Sequence, residues 1–498
     1  MNLPFFAHMN LHLVMQGIIV LPLVAVVGIL ATGNKANLRE SVSLLASALL
    51  FALVWHLYQG FMAGGVASAT WIELLPGLNI RFKADALGLL FALIASFLWF
   101  VTTLYAIGYM RGHGEKNQTR FYSFFAIAIA AVMAIAFAEN LFTLFIFYEV
   151  LTLSTYPLVT HAGTDKARQG GRTYLNILLG TSVVFFLPAL VGTWAVAGTL
   201  DFTPGGIFPA TVSPMLLSAL LVLFVFGIGK AAIMPFHRWL PAAMVAPTPV
   251  SALLHAVAVV KAGVFTLIKV CVFIFGLDSL NSIAATEFLL YVAAFTILAA
   301  SVVAMQQDNL KARLAYSTVS QLGYISLGVL LATGAGVTAS AMHIAMHAFG
   351  KITLFFCAGA ILVASHKTEI SEMGGLGRQM PVTMAAFFIA SLSIIGLPPT
   401  GGTWSKWYLM LGTLEAQQWL LMVVLMISSL LNIAYLLPIP LRGFFPASAG
   451  GANSAFAPVA IKEAPLPSLI AIVITCLMCV LLFVFPQPLY ELAAMVGG

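Results

Sequence analysis

The amino-acid sequence predicts an all-α polytopic membrane protein of about fourteen transmembrane helices, with two inverted five-helix repeats and discontinuous helices 7 and 12. Three observations predict it. Of the 498 residues, 61% are hydrophobic and only 8% are charged, against roughly 25% charged in a soluble domain. Several apolar runs reach about twenty residues, the length that crosses a bilayer. Positive charge gathers in alternate connections between those runs.

Turn-like and charged interruptions divide the chain into fourteen runs. The first six are Leu13–Ala31, Ser41–Phe61, Asp85–Met110, Phe121–Ala138, Leu141–Val159 and Thr173–Ala197. Met215–Pro235, Val250–Phe275, Ala284–Met305, Arg313–Ala332 and Gly336–Ala364 follow, and then Val382–Leu411, Gln418–Phe444 and Pro467–Phe485. The first run lacks a cleavage-like ending and reads as a retained helix. The longest connections, Met62–Ala84 and Pro446–Pro465, read as loops. With the N-terminus outside, one side carries Lys35, Arg39, Arg111, Lys116, Arg120, Lys166, Arg168, Arg172, Arg238, Lys311, Arg313, Lys367, Arg378, Arg442 and Lys462. The other carries only Arg81 and Lys83. That bias follows the positive-inside rule, which places both termini on the outer side of a bacterial inner membrane. An odd number of helices would break the pattern midway.

Composition also excludes several functions. The net charge of +6 belongs to loops at a membrane surface, and no basic patch suggests nucleic-acid binding. Cys271, Cys357, Cys476 and Cys479 all lie in apolar runs without neighbouring histidines, so they read as packing residues and no metal site is expected. No cofactor motif occurs, and no covalent catalysis is expected of this chain.

Subtracting the loops leaves a short list of charges inside helices. Lys230, Lys261, Lys269, Lys351 and Lys406 remain, with Glu149 in FIFYEVLTLSTYPL and the histidines His255, His343 and His347. A lysine at mid-membrane costs roughly 2.5–3.5 kcal/mol on insertion scales, so such residues mark function by default. Snorkelling or helix stitching is the competing reading. It holds best for Lys269, late in its helix. His343, His347 and Lys351 recur every four residues and so lie along one helix face, about 6 Å apart per step. Lys230 precedes Pro235, and Lys406 follows GLPPTGG. Proline and glycine free backbone groups that cannot face lipid, so both segments must line a protein or water-filled interior. Paired interrupted helices suggest an inverted repeat with sites at the midplane. The repeats would occupy residues 121–276 and 284–445, between an N-terminal three-helix segment (1–120) and a C-terminal loop with the last helix (446–498).

Five stretches resemble the antiporter-like proton-translocating family shared by Mrp-type cation/proton antiporters, respiratory complex I and membrane-bound hydrogenases. They are NLFTLFIFYEVLTL, GIGKAAIMPFHRWLPAAMVAPTPVSALLHA, DNLKARLAYSTVSQLGYISLG, MHIAMHAFGKITLFFCAGAI and GLPPTGGTWSKWYL. The resemblance implies proton-transfer roles for Glu149 in the fifth helix, Lys230 in the seventh, Lys261 in the eighth, His343 and His347 in the eleventh and Lys406 in the twelfth. The lysine of WSKWYL, the length and the helix count are most similar to the D-type component of Mrp antiporters, where complex I's middle antiporter-like component usually has glutamate. The implied function is proton translocation within a multisubunit Na+/H+ antiporter, with other membrane subunits, protons and Na+ as partners and no cofactor. A proton-pumping subunit of a complex I-type quinone reductase or membrane-bound hydrogenase is the alternative, as is the membrane subunit of an inorganic-carbon uptake complex. The expected path runs from Lys230 through Lys261, His343, His347 and Lys351 to Lys406. Glu149 sets proton affinity at one end, and His255 either contributes or only hydrogen-bonds locally.

Overall fold

A computed structural model describes residues 10–75, 78–445 and 460–497. Most of the expected Pro446–Pro465 loop (446–459) therefore lies outside the described residues. The chain opens with α1 (Leu11–Ala31) and α2 (Ala36–Met62), a hairpin of β1 (Ser68–Leu75) and β2 (Leu78–Lys83), then α3 (Ala86–Gly112), α4 (Gln118–Ala136) and α5 (Leu141–Val159). Next come α6 (Asp165–Ala197), α7 (Pro214–Gly227), α8 (Thr248–Phe275), α9 (Ala284–Gln306), α10 (Leu310–Leu330) and α11 (Gly334–Ser365). The last are α12 (Pro381–Ile395), α13 (Gly402–Glu415), α14 (Trp419–Phe444), α15 (Leu466–Val484) and α16 (Gln487–Gly497). Among the described residues, eleven helices are long and apolar enough to cross a membrane, and α7 and α12 are shorter apolar helices. With α10, which is long enough but more polar, they make the expected fourteen spans.

Helix starts follow local chemistry. Side chains of Asp85, Asn140, Thr164, Ser213, Asn309 and Thr333 each accept a backbone N–H of the first turn, satisfying donors that lipid could not. Spans 7 and 12 are the broken ones, as expected. After Gly227 the chain passes through a 3-10 turn at Gly229–Ala231, further turns and the short helix Trp239–Ala242. Span 12 stops at Gly396, whose φ of +91° suits a residue without a side chain, and resumes at Gly402.

The centre of the molecule is α8 and α11, whose most apolar windows are 94% and 83% buried, against 39% for α1, α2 and α15. A helix apolar all round and buried all round belongs inside a bundle. Both broken spans pack on this centre, so the embedded lysines face protein rather than lipid.

Three expectations need correction. The Met62–Ala84 connection holds the antiparallel β1–β2 hairpin, anchored where Arg81 meets Asp201 at 2.5 Å. Span 6 begins at Asp165 rather than Thr173, because its first two turns are helical but too charged to read as membrane. The chain also carries α16 beyond the last span.

Candidate functional site

Lys230 sits in the 3-10 turn at the first break and is fully buried. Its ammonium donates to the Tyr148 carbonyl at 2.8 Å and to the Thr152 hydroxyl at 2.6 Å. It also lies 3.1 Å from the centre of the Tyr148 ring, a cation–π contact. Gly263 on α8 lets this turn come close: a Cβ there would collide with Lys230 and Ala231 backbone atoms. The Glu149–Lys230 pair is not closed. Both Glu149 carboxylate oxygens are buried without a hydrogen-bond partner among the described residues. Helical rotation explains this: Tyr148 and Thr152 share a face four residues apart, and Glu149 points about 100° away, beside the exposed Val150 and Leu153.

Lys261 lies in α8 with Nζ 2.6 Å from His347 Nδ1. The histidine face of α11 fans out toward several helices. His343 Nδ1 meets the Ser405 hydroxyl at 2.8 Å and its Nε2 meets Gln321 Oε1 at 3.0 Å. The His343 and His347 rings are 5.9 Å apart between centroids, the spacing expected of one helix face. Lys351, one turn on, donates to Ser317 Oγ at 2.5 Å. His255 occupies a π-helical turn of α8 against the Phe355 ring at 4.6 Å. Neither of its nitrogens has a hydrogen-bond partner among the described residues.

Lys406, one turn into α13, reaches back across the second break. Its ammonium donates to the Ile395 carbonyl at 2.9 Å and approaches Ser429 Oγ at 3.4 Å, with Tyr324's ring centre 4.5 Å away. It lines a cavity of about 400 Å³ with Tyr324, Trp407 and Ser429. Lys269 differs from the other four: it is paired with Asp85, the cap of α3, among the Phe202 and Phe273 rings. The pair ties α8 to the start of α3.

Sequence reasoning passed over the neutral polar partners: Tyr148, Thr152, Gln321, Tyr324, Ser405, Ser429 and Ser317. It also passed over a second cavity, of about 690 Å³, at the connections expected to be cytoplasmic. Glu115, His113, Lys166, Lys311 and Glu369 line it. Burial lifts the Glu115 carboxyl above its ordinary range and lowers the nearby His161 imidazole below its own. Lys311 donates to the Ala246 carbonyl at 2.6 Å, just before α8 begins. Among the described residues no cluster of three or more metal-ligating side chains occurs.

A many-span bundle with broken helices and a buried row of ammonium and imidazole groups defines an ion-translocating membrane protein in architecture. The chain belongs to the family described as "NADH:quinone oxidoreductase/Mrp antiporter, TM", which it matches over residues 138–432. Residues 71–122 match "NADH-Ubiquinone oxidoreductase (complex I), chain 5 N-terminus". It is 34% identical over 366 residues to NADH-quinone oxidoreductase subunit N of Desulforudis audaxviator, covering 72% of each. NAD(P)H-quinone oxidoreductase chain 5 of Synechocystis is 32% identical over 397 residues, 75% of this chain and 56% of that one. A probable K(+)/H(+) antiporter protein of Rhizobium meliloti is 31% identical over 376 residues, 74% and 37%. The chain thus spans about half the length of the latter two or less. Among solved structures, an archaeal membrane-bound sulfane sulfur reductase matches with a TM-score of 0.85 over 97% of both chains. The Mrp complex from Dietzia matches at 0.80 over 96% and 97%, and both are 22% identical, a likeness of fold.

Proposed function

We propose that this chain is the proton-translocating subunit of a multisubunit Na+/H+ antiporter, moving protons along Lys230, Lys261, His347, His343, Lys351 and Lys406. The observation that carries the reading is the set of four buried lysines without a carboxylate ion pair among the described residues, three of them bonded to a hydroxyl or imidazole that can reorient with a change of charge and Lys406 to a backbone carbonyl. A purely structural lysine would be neutralised, as Lys269 is by Asp85. Desolvation and a nearby carboxylate push a lysine's proton affinity in opposite directions. Moving one charge through about 200 mV is worth roughly 4.6 kcal/mol, the size of a change of roughly 3.4 pKa units. Making or breaking a contact between Glu149 and Lys230 is therefore large enough to gate proton movement. The cavity holding Glu115 and Lys311 serves as the cytoplasmic mouth.

A redox-driven component of a complex I-type assembly is the second reading, favoured by the identity to quinone oxidoreductase subunits. In either case other membrane subunits are required. Purifying the native assembly decides between them: small antiporter subunits support the first reading, and subunits with iron–sulfur clusters overturn it. A cysteine within Asp165–Arg172 should be labelled only from the cytoplasmic side of a bacterial inner membrane, and labelling from outside would reverse the orientation.

A further inference from the structure

Two polar stripes run at helical spacing through otherwise apolar helices. On α10 they are Ser317, Gln321 and Tyr324, and on α14 Ser428, Asn432 and Tyr435. Each set is spaced i, i+4, i+7, so each occupies one face of its helix. The helices run antiparallel, and the stripes meet in reverse order. At one end the Tyr435 hydroxyl donates to Asn432 Oδ1 and lies 2.9 Å from Ser317 Oγ, whose hydroxyl can donate to it. At the other the Tyr324 hydroxyl donates to the Leu425 carbonyl of α14 at 3.4 Å, and Ser428 meets Ser301 at 3.4 Å. All six stripe residues are fully buried or nearly so. The Gln321 and Asn432 amide nitrogens, between the two ends, have no hydrogen-bond partner among the described residues.

The seam touches a lysine at each end. Lys351 donates to Ser317 at 2.5 Å, and Lys406 lies 4.5 Å from the Tyr324 ring centre and approaches Ser429, the residue next to the stripe, at 3.4 Å. The histidine route leaves Lys261 separately, through His347 and His343 to Ser405. We propose that the α10–α14 seam is a second proton conduit, joining Lys351 to Lys406 in parallel with the histidines. This rests on the proton-carrying reading above.

Serine and tyrosine hydroxyls both donate and accept, so each can take a proton on one lone pair and release its own. In each step one N–H or O–H bond breaks and one forms, and the wire ends with its hydroxyls reversed. An amide does not relay in this way. The unpaired amide N–H of Asn432 can instead hold a connecting water, as buried polar groups without protein partners do. No charged group is needed along the seam, which suits transient passage rather than storage.

The test is proton flux in vesicles carrying the whole assembled complex, with a pH-sensitive dye inside. Tyr435→Phe keeps the ring and removes the hydroxyl; His343→Ala cuts the other route. The fluxes left by the two single cuts should add up to about the parent's, about twofold loss each for equal routes, and the pair should lower flux by more than the product, the mark of parallel routes. Ser317→Ala breaks the same wire without touching the aromatic ring and should behave as Tyr435→Phe does, which separates lost relay from lost packing. In the His343→Ala background the H2O/D2O flux ratio should rise, because the remaining protons cross several hydroxyls. Flux that falls with Lys230→Ala and His343→Ala yet ignores Tyr435→Phe and Ser317→Ala in both backgrounds overturns the seam alone. Flux indifferent to Lys230→Ala overturns the proton-carrying reading itself.

Discussion

The two helix breaks carry the same device in different surroundings. At the first, Lys230 is sealed: the Tyr148 carbonyl, the Thr152 hydroxyl and an aromatic face occupy its ammonium, and no solvent reaches it. At the second, Lys406 has one firm partner, Ile395, and borders a cavity large enough for several waters. A sealed ammonium changes partner only when its neighbours move. One beside a cavity can exchange with water at any time. On the proton-carrying reading proposed above, the first site suits a gate and the second a terminus.

The largest effect is expected at the gate. Lys230→Ala should cut proton transport more than about tenfold, since it deletes the titratable stop, while the protein still inserts in the membrane. Flux of purified protein in vesicles measures it, and near-normal activity would make the residue structural. Lys406→Ala should cost nearly as much. Lys406→Glu should retain partial activity, because a carboxylate also carries a proton. The reverse order would make Lys406 a structural cation. The next effect separates the two environments. Thr152→Val removes a hydroxyl that no water can replace and should lower flux about fivefold, roughly the net worth of one ordinary hydrogen bond. Ser429→Ala, beside the cavity, should cost less than about twofold, because water substitutes. Equal losses would erase the distinction between gate and terminus. Glu149→Gln should weaken activity modestly and move its pH profile, since it removes the carboxylate beside the gate.

The smallest effect lies at the cavity lined by Glu115 and Lys311. Burial raises the Glu115 carboxyl, so the folded state binds that proton more tightly than the unfolded state. Its contribution to stability is present at low pH and is lost as pH rises from the ordinary carboxylate range through the raised value. Glu115→Gln should therefore melt slightly higher than the parent at pH 7.5 and no higher at pH 4. Melting temperatures in detergent at the two pH values check the sign.

Apolar runs with their charged and turn-like interruptions recovered the fourteen spans, and proline and glycine marked both breaks, because lipid demands long apolar runs and punishes free backbone. It failed where that demand stops. The β1–β2 hairpin and the charged start of α6 lie where water, not lipid, satisfies the backbone. At the site, the charged residues stood out and their neutral partners did not. Ser317, Gln321 and Tyr324 keep a visible i, i+4, i+7 rhythm, but hydroxyls and amides cost little enough in a helix to pass as packing. The open Glu149–Lys230 pair was beyond reach for another reason. Adjacent letters in a sequence point about 100° apart on a helix, and whether a lysine from elsewhere meets residue 148 or residue 149 depends on how the helices are rotated.

The bond from Lys406 to Ile395 has a consequence for movement. It fastens the carbonyl end of α12 to the first turn of α13, and a positive charge is favoured at such a carbonyl terminus. When the lysine gives up its proton, that fastening loses its charge and weakens, and when it regains one, the joint tightens. On the proton-carrying reading, the stiffness of the joint in span 12 then follows the proton on Lys406.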